Sequence, residues 1–130
     1  MPKMQRCMPV LEVVDVEASA AFYNDKLSFT PGPFFGSPPA FCIVGRNTVT
    51  IALERSRTPG RNPQNQYWAA YVYVDDVDAL AAELRAKDVE ILRGPENMPH
   101  GCREIDVRDP DGHTLCFGQD LTPSQAGPGL

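Results

Sequence analysis

A chain of 130 residues with 42% hydrophobic content is the size of one ordinary globular domain. Seventeen acids against twelve bases leave a net charge of −5, which argues against a duplex nucleic-acid partner. No apolar run is long enough to span a bilayer, no secretory signal opens the sequence, and the four scattered cysteines (Cys7, Cys42, Cys102, Cys116) contain no Cys-x-x-Cys pair. A zinc knuckle and a disulfide framework are therefore not expected, and a reducing cytoplasm is the expected setting.

Met8 to Val14 reads as a first strand, with Pro9 at its start or at a bend because proline cannot donate to a ladder. A helix follows over residues 15–27: Asp15 is the N-cap candidate, and Val16, Ala20, Tyr23 and Leu27 recur at helical spacing. Ser28 to Phe35 is a strand interrupted by Pro31, Gly32 and Pro33, and Pro38-Pro39 ends it. Phe41 to Gly45 and Thr48 to Glu54 form a hairpin across Arg46-Asn47, where asparagine tolerates a left-handed backbone. Residues 55–66 are polar and rich in turn formers, and read as a mobile loop. Tyr67 to Val74 is a strand and Asp76 to Lys87 a second amphipathic helix, with Val77, Leu80 and Leu84 on one face. Val89 to Leu92 is read as a strand and Gly94 to Gly101 as a loop. Arg103 to Gly118 is a hairpin turned by Asp109-Pro110-Asp111-Gly112. The segment after Asp120 is too poor in apolar residues to join a core and is expected to be flexible.

The chain repeats itself. Val13 to Ala21 and Val74 to Ala82 share six of nine residues at a constant offset of 61, and the order strand, helix, strand, strand, strand occurs twice. Two units too small to bury enough surface alone are expected to pack around a shared centre.

These residues resemble the vicinal oxygen chelate superfamily, which includes glyoxalase I, extradiol dioxygenases, fosfomycin-modifying enzymes and bleomycin resistance proteins. The match is carried by Pro9-Val-Leu-x-Val-x-Asp-Val with Ser19-Ala-Ala-Phe-Tyr, by Val74-Asp-Asp-Val-Asp-Ala-Leu, and by Arg103-Glu-Ile-x-Val-Arg-Asp-Pro-Asp-Gly-x-x-Leu-x-Phe-Gly118. The last of these is most similar to the bleomycin-resistance group. The resemblance implies an α+β fold of two βαβββ modules that form a curved mixed-sheet cleft. It covers a single domain over residues 1–120: module one at 7–54, a linker at 55–66, module two at 67–119, then a tail. It also implies a homodimer, in which the N-terminal strand is exchanged between subunits about Pro9 or, on the alternative reading, merely begins there.

In the superfamily's metalloenzymes, four inward side chains bind the metal. Carried over, their positions are Met8, Ala52 (or Glu54, if the strand register slips by two), Ala69 and Cys116. A thioether, two methyl groups and one thiol do not make a site for a hard or borderline divalent ion, so no metal and no cofactor are expected there. Cys116 in an apolar strand reads as an inert, buried thiol. His113 is expected to face solvent, and His100 reads as a loop histidine without an orienting partner.

What remains is a cleft of apolar and aromatic groups, with ligand-binding candidates Met8, Glu12, Phe35, Phe41, Trp68, Tyr71, Arg103 and Cys116. The expected function is sequestration of a drug or metabolite, aromatic or cationic, in a metal-free cleft. The alternative is a glyoxalase- or dioxygenase-like lyase or isomerase, using an unrecognised metal site or metal-independent acid–base chemistry.

Overall fold

The computed structural model describes residues 1–57 and 67–122. Its elements run β1 (Val10–Val13), α1 (Val16–Leu27), β2 (Thr30–Pro31), β3 (Phe41–Arg46), β4 (Val49–Arg55), β5 (Trp68–Tyr73), α2 (Val77–Ala86), β6 (Arg93–Asn97), β7 (Cys102–Arg108) and β8 (Thr114–Asp120). They form two four-stranded sheets with the same topology, β1-β4-β3-β2 and β5-β8-β7-β6, each mixed and each carrying one helix. This is the twofold βαβββ architecture that the internal repeat implies. The mobile-loop reading of residues 55–66 falls largely outside the described residues, as does most of the tail.

Both helices open on a capping aspartate, Asp15 as the sequence predicts and Asp76 at the expected start of the second helix. Asp15 accepts a hydrogen bond from the Ala18 N–H at 3.1 Å, and Asp76 accepts from the Ala79 N–H at 3.0 Å. Each satisfies a donor that the first helical turn leaves unpaired. The faces that the 3.6-residue period predicts are the buried ones: Val16, Ala20, Tyr23 and Leu27 on α1, Val77, Leu80 and Leu84 on α2. They join Leu11, Val13, Val44, Ile51, Leu53, Ile105, Val107, Leu115 and Phe117 in one core drawn from both modules. Asn47 turns the β3–β4 hairpin with φ 54°, as expected.

Three elements differ from the sequence reading. The segment Ser28 to Phe35 yields only the two-residue β2, because Pro31 and Pro33 have no N–H to give to the ladder and only Gly32 between them still donates, to the Ile43 carbonyl at 2.8 Å. Val89 to Leu92 is not a strand. The chain instead turns at Asp88, with φ 59°, and the Val89 N–H is held by the Leu84 carbonyl at 3.0 Å. The strand lies later, at Arg93–Asn97, inside the expected loop. Gly94 and Pro95 fit there because β6 is an edge strand whose register shifts between Arg93 and Glu96, and an edge bulge is where a sheet accommodates proline.

The modules are tied together by the β7–β8 turn. Asp109 accepts from the Tyr23 hydroxyl at 2.9 Å and from the backbone N–H groups of Asp111 and His113, each at 2.9 Å. Asp111 accepts from the Val14 N–H at 2.8 Å, and the His113 ring lies 2.6 Å from the Glu12 carbonyl oxygen. His113 is therefore buried, not solvent-facing as its turn position suggests. Burial pushes the Asp109 carboxyl above its usual range, despite these donors. Tyr23→Phe removes one donor and leaves a buried carboxylate oxygen short of a partner. The expected cost is about 1.5–3 kcal/mol, read as a lower urea midpoint at unchanged m-value.

Candidate functional site

Strand alternation sends Ile105 and Val107 of β7 to the core, and Cys102, Glu104 and Asp106 to the opposite face of the second sheet. Cys116 lies beside Asp106 on β8, and Tyr71 of β5 lies beside Cys116. A register shift between Trp68 and Ala70 then changes the faces of β5. Strict alternation would put Trp68 on the side opposite Tyr71. With the bulge, the Trp68 and Tyr71 rings meet edge to face at 5.2 Å, and Tyr71 meets Tyr73 at 5.0 Å. Ala69, by contrast, packs against the core. The outcome is an aromatic row whose outer members are open to solvent, Trp68 at 43% and Tyr73 at 49% exposure.

Glu104 is the centre of the polar cluster beside this row, and it is fully buried. Its Oε1 accepts from Arg93 Nη2 at 2.8 Å; its Oε2 accepts from the Tyr71 hydroxyl at 2.8 Å and lies 2.7 Å from His100 Nε2. Burial pulls its pKa upward, but Arg93, Tyr71 and His100 together outweigh this and hold it below the usual carboxylate range. Arg93 also grips Asp106 with two hydrogen bonds, of 2.8 and 3.0 Å, and reaches Glu96 at 3.0 Å. Its guanidinium carbon lies 6.0 Å from the Trp68 ring centroid, at the outer limit of a cation–π contact. Tyr71 is held firmly as a neutral phenol, since burial, the Cys102 thiol and the Glu104 carboxylate all push its pKa up. The Cys116 thiol is pushed up by burial and by the nearby Glu104 and Asp106, which agrees with the inert thiol expected from sequence.

Trp68, Tyr71 and Cys116 thus share one face. Arg103 does not join them: it alternates to the helix side and pairs with Asp78 at 2.9 Å and 3.0 Å. Met8, Glu12, Phe35 and Phe41 belong to module one, where Phe35 and Phe41 form an isolated bridge with rings 6.3 Å apart, and Glu12 lies opposite Glu54 on β4. His100, read as unpartnered, has Glu104 as its partner. Arg93, Glu104, Asp106 and His100 all escaped the sequence reading of the site. One signal for them was present: His100, Cys102 and Glu104 are spaced by two, the spacing that places side chains on one face of an extended chain.

A model of the glyoxalase/bleomycin resistance protein/dioxygenase superfamily matches residues 7–117. The chain belongs to this superfamily. No curated protein matches it in sequence. Among solved structures it is similar to a bleomycin-binding protein from Streptomyces verticillus crystallised with copper(II)-bleomycin (29% identity, TM-score 0.69, covering 90% of this chain and 97% of that one). It is also similar in fold to a glyoxalase/bleomycin resistance protein/dioxygenase from Nocardioides (22%, TM-score 0.73, 100% and 91%) and to a lactoylglutathione lyase from Agrobacterium tumefaciens (21%, TM-score 0.70, 92% and 96%).

The superfamily's usual metal positions do not suit a metal in this member. Ala52 lies opposite Val10 as Cys116 lies opposite Tyr71, which settles the register: Ala52, not Glu54, corresponds to Cys116. Ala69 faces the core, Met8 offers only a thioether, and Arg93 Nη2 sits 3.8 Å from the Cys116 sulfur, a fixed positive charge beside the one remaining donor. The donor set and its electrostatics both oppose a cation at this centre.

Two cavities flank these elements. One of about 400 Å³ lies between the β3–β4 turn and α2, where Arg46 and Glu83 pair at 2.7 Å, and meets the aromatic row only at Tyr73. A second of about 360 Å³ is lined by Pro9, Ile51, Tyr71 and Tyr73 and adjoins the aromatic row. The chemistry favours the second, despite its smaller volume.

Proposed function

We propose that the protein sequesters a flat, cationic or partly aromatic small molecule on the open face of its second sheet, without a metal at the superfamily's usual centre. The observation that carries this reading is the row of Trp68, Tyr71 and Tyr73, open to solvent at Trp68 and Tyr73, beside three carboxylates that share the Arg93 guanidinium among the described residues. Aromatic faces attract flat and positively charged groups, and the excess of carboxylate adds a long-range pull of the same sign. The similarity to a bleomycin-binding protein supports the class of ligand. We assign the functional unit to a cytoplasmic homodimer. Exposed residues 1–7 precede Pro9, whose carbonyl accepts the Ala52 N–H at 3.0 Å, and so supply an arm for exchange between subunits.

Trp68 provides the test. As the lone tryptophan, it reports any ring stacked upon it. Titration of chelator-treated protein with bleomycin and with smaller aromatic cations is expected to quench its fluorescence saturably. Gly118→Ala places a methyl where the Tyr71 hydroxyl end now lies, and is expected to weaken binding at least tenfold; Trp68→Ala, followed by calorimetry, is expected to do the same with the core untouched. Absence of saturable binding across the panel, or binding that disappears with chelator, sinks the proposal.

A further inference from the structure

His100, Cys102 and Glu104 each bring a different donor to one place: their Nε2 or Nδ1, Sγ and carboxylate oxygen atoms lie within 4.8 Å of one another. We propose that this trio is a transition-metal site, selective for a zinc-like divalent ion and displaced onto β7 from the superfamily's usual centre. A tetrahedral zinc ion, with bonds of about 2.0–2.3 Å, holds its ligand atoms roughly 3.3–3.8 Å apart. While the trio, now within 4.8 Å, closes around the ion, His100 has to withdraw from Glu104, from 2.7 Å. It can do so because it sits on the turn before β7 and is 43% exposed, whereas Cys102 and Glu104 are buried and fixed by the strand.

The surroundings are arranged for a cation. Arg93 engages Oε1 of Glu104, and Oε2 accepts from the Tyr71 hydroxyl with one lone pair and faces His100 with the other, which is the lone pair a metal would take. A carboxylate ligand held at its second oxygen by a donor is a common way to fix metal geometry. Glu96, Glu104 and Asp106 outnumber Arg93 by two charges, and the Cys102 thiolate adds a third, so a dication offsets most of the excess. One thiolate and one imidazole favour a borderline ion over magnesium or calcium, which require oxygen ligands. On binding, the Cys102 thiol gives up its proton to solvent and the sulfur takes the metal bond; no electron changes hands. Three protein ligands leave a fourth position for water or for a donor atom of a bound molecule.

The site shares Glu104 and its neighbouring carboxylates with the organic-ligand reading, so the two are tested separately, sequestration on metal-free protein and metal binding without the organic ligand. Cys7 is exposed and able to bind metal by itself, so the experiment uses Cys7→Ser protein stripped with chelator. Cobalt(II) titration is expected to give one equivalent of tetrahedral d–d absorption together with a thiolate-to-cobalt charge-transfer band, and zinc is expected to displace the cobalt. Cys102→Ala should abolish the charge-transfer band, and His100→Ala, an exposed position that leaves the core intact, should weaken zinc binding at least tenfold. Glu104→Gln may be discarded if it unfolds, since the other two variants decide. A spectrum without a thiolate band, or zinc affinity unchanged in both His100→Ala and Cys102→Ala, overturns the assignment. Retention or loss of fluorescence quenching by the organic ligand in chelator bears only on sequestration.

Discussion

Arg93→Met is expected to cost about 3–5 kcal/mol of folding stability at neutral pH, since it strips a buried carboxylate of its charged partner. For a domain whose net stability is about 5–15 kcal/mol, that loss is a large share of the whole. Methionine keeps the length of the stem, so the effect reports the charge more than the packing. The guanidinium is 27% exposed, whereas Glu104 is fully buried; the loss therefore falls mainly on Glu104, with Asp106 adding to it. The pH dependence supplies a sharper test. In the native protein Glu104 lies below its ordinary range, so it contributes stability above its unfolded pKa of about 4.3, and this is lost as pH falls through the lower folded value. In the variant, burial is opposed only by Tyr71 and His100, and the folded pKa is expected to rise above the unfolded one. Stability then falls as pH rises through that window. Urea melts should show the native protein level in this respect above about pH 4.3 and weakening only as the pH falls below it, whereas the variant weakens as the pH rises from about 4 toward 7. Parallel curves mean that Arg93 does not set the ionisation of Glu104.

Gly94→Ala is the second large effect, at about 2–5 kcal/mol from the combined cost of a left-handed alanine and forced overlap. Gly94 has φ +86°, and an added methyl would run into the Glu104 carbonyl oxygen on the neighbouring strand. Backbone cannot swing aside as a side chain can, so β6 must lift from β7. Arg93 would be carried with it, one residue away. The variant should therefore lose urea stability and, in the fraction still folded, lose ligand-induced quenching of Trp68 as well. A variant with a near-native midpoint and native quenching contradicts the close approach of these strands.

The repeat, both helix caps, the β3–β4 hairpin and the β7–β8 hairpin were legible because each is written in local signals: a capping aspartate, a turn residue, a period. What escaped depends on breaks in a period. Gly94 and Pro95 read as loop residues, yet they occupy an edge strand, because a bulge there removes the need for regular ladder bonds. The bulge after Trp68 cannot be inferred from alternating residues, and it decides that Trp68, not Ala69, joins Tyr71. Glu104 looked like one charged residue in a hairpin; its importance comes from Arg93, eleven residues earlier on the misplaced strand. Within the site, strand parity points to Tyr71 and Tyr73, the resemblance points to Cys116, and Trp68 shares their face only through the bulge, whereas Arg103 was assigned to the cleft although its parity pointed to the helix.

The two sheets repeat the same rows with different contents. Across the second sheet, Tyr71, Cys116, Asp106 and Arg93 lie side by side; the matching row of the first is Val10, Ala52 and Ile43, without a titratable group. The scaffold occurs twice, and only the second copy carries titratable side chains in this row. The other is a blank template with the same hydrogen-bonded register. A designer wishing to give this protein a second, independent pocket would begin there, by grafting the tyrosine and aspartate of the occupied row onto Val10 and Ile43.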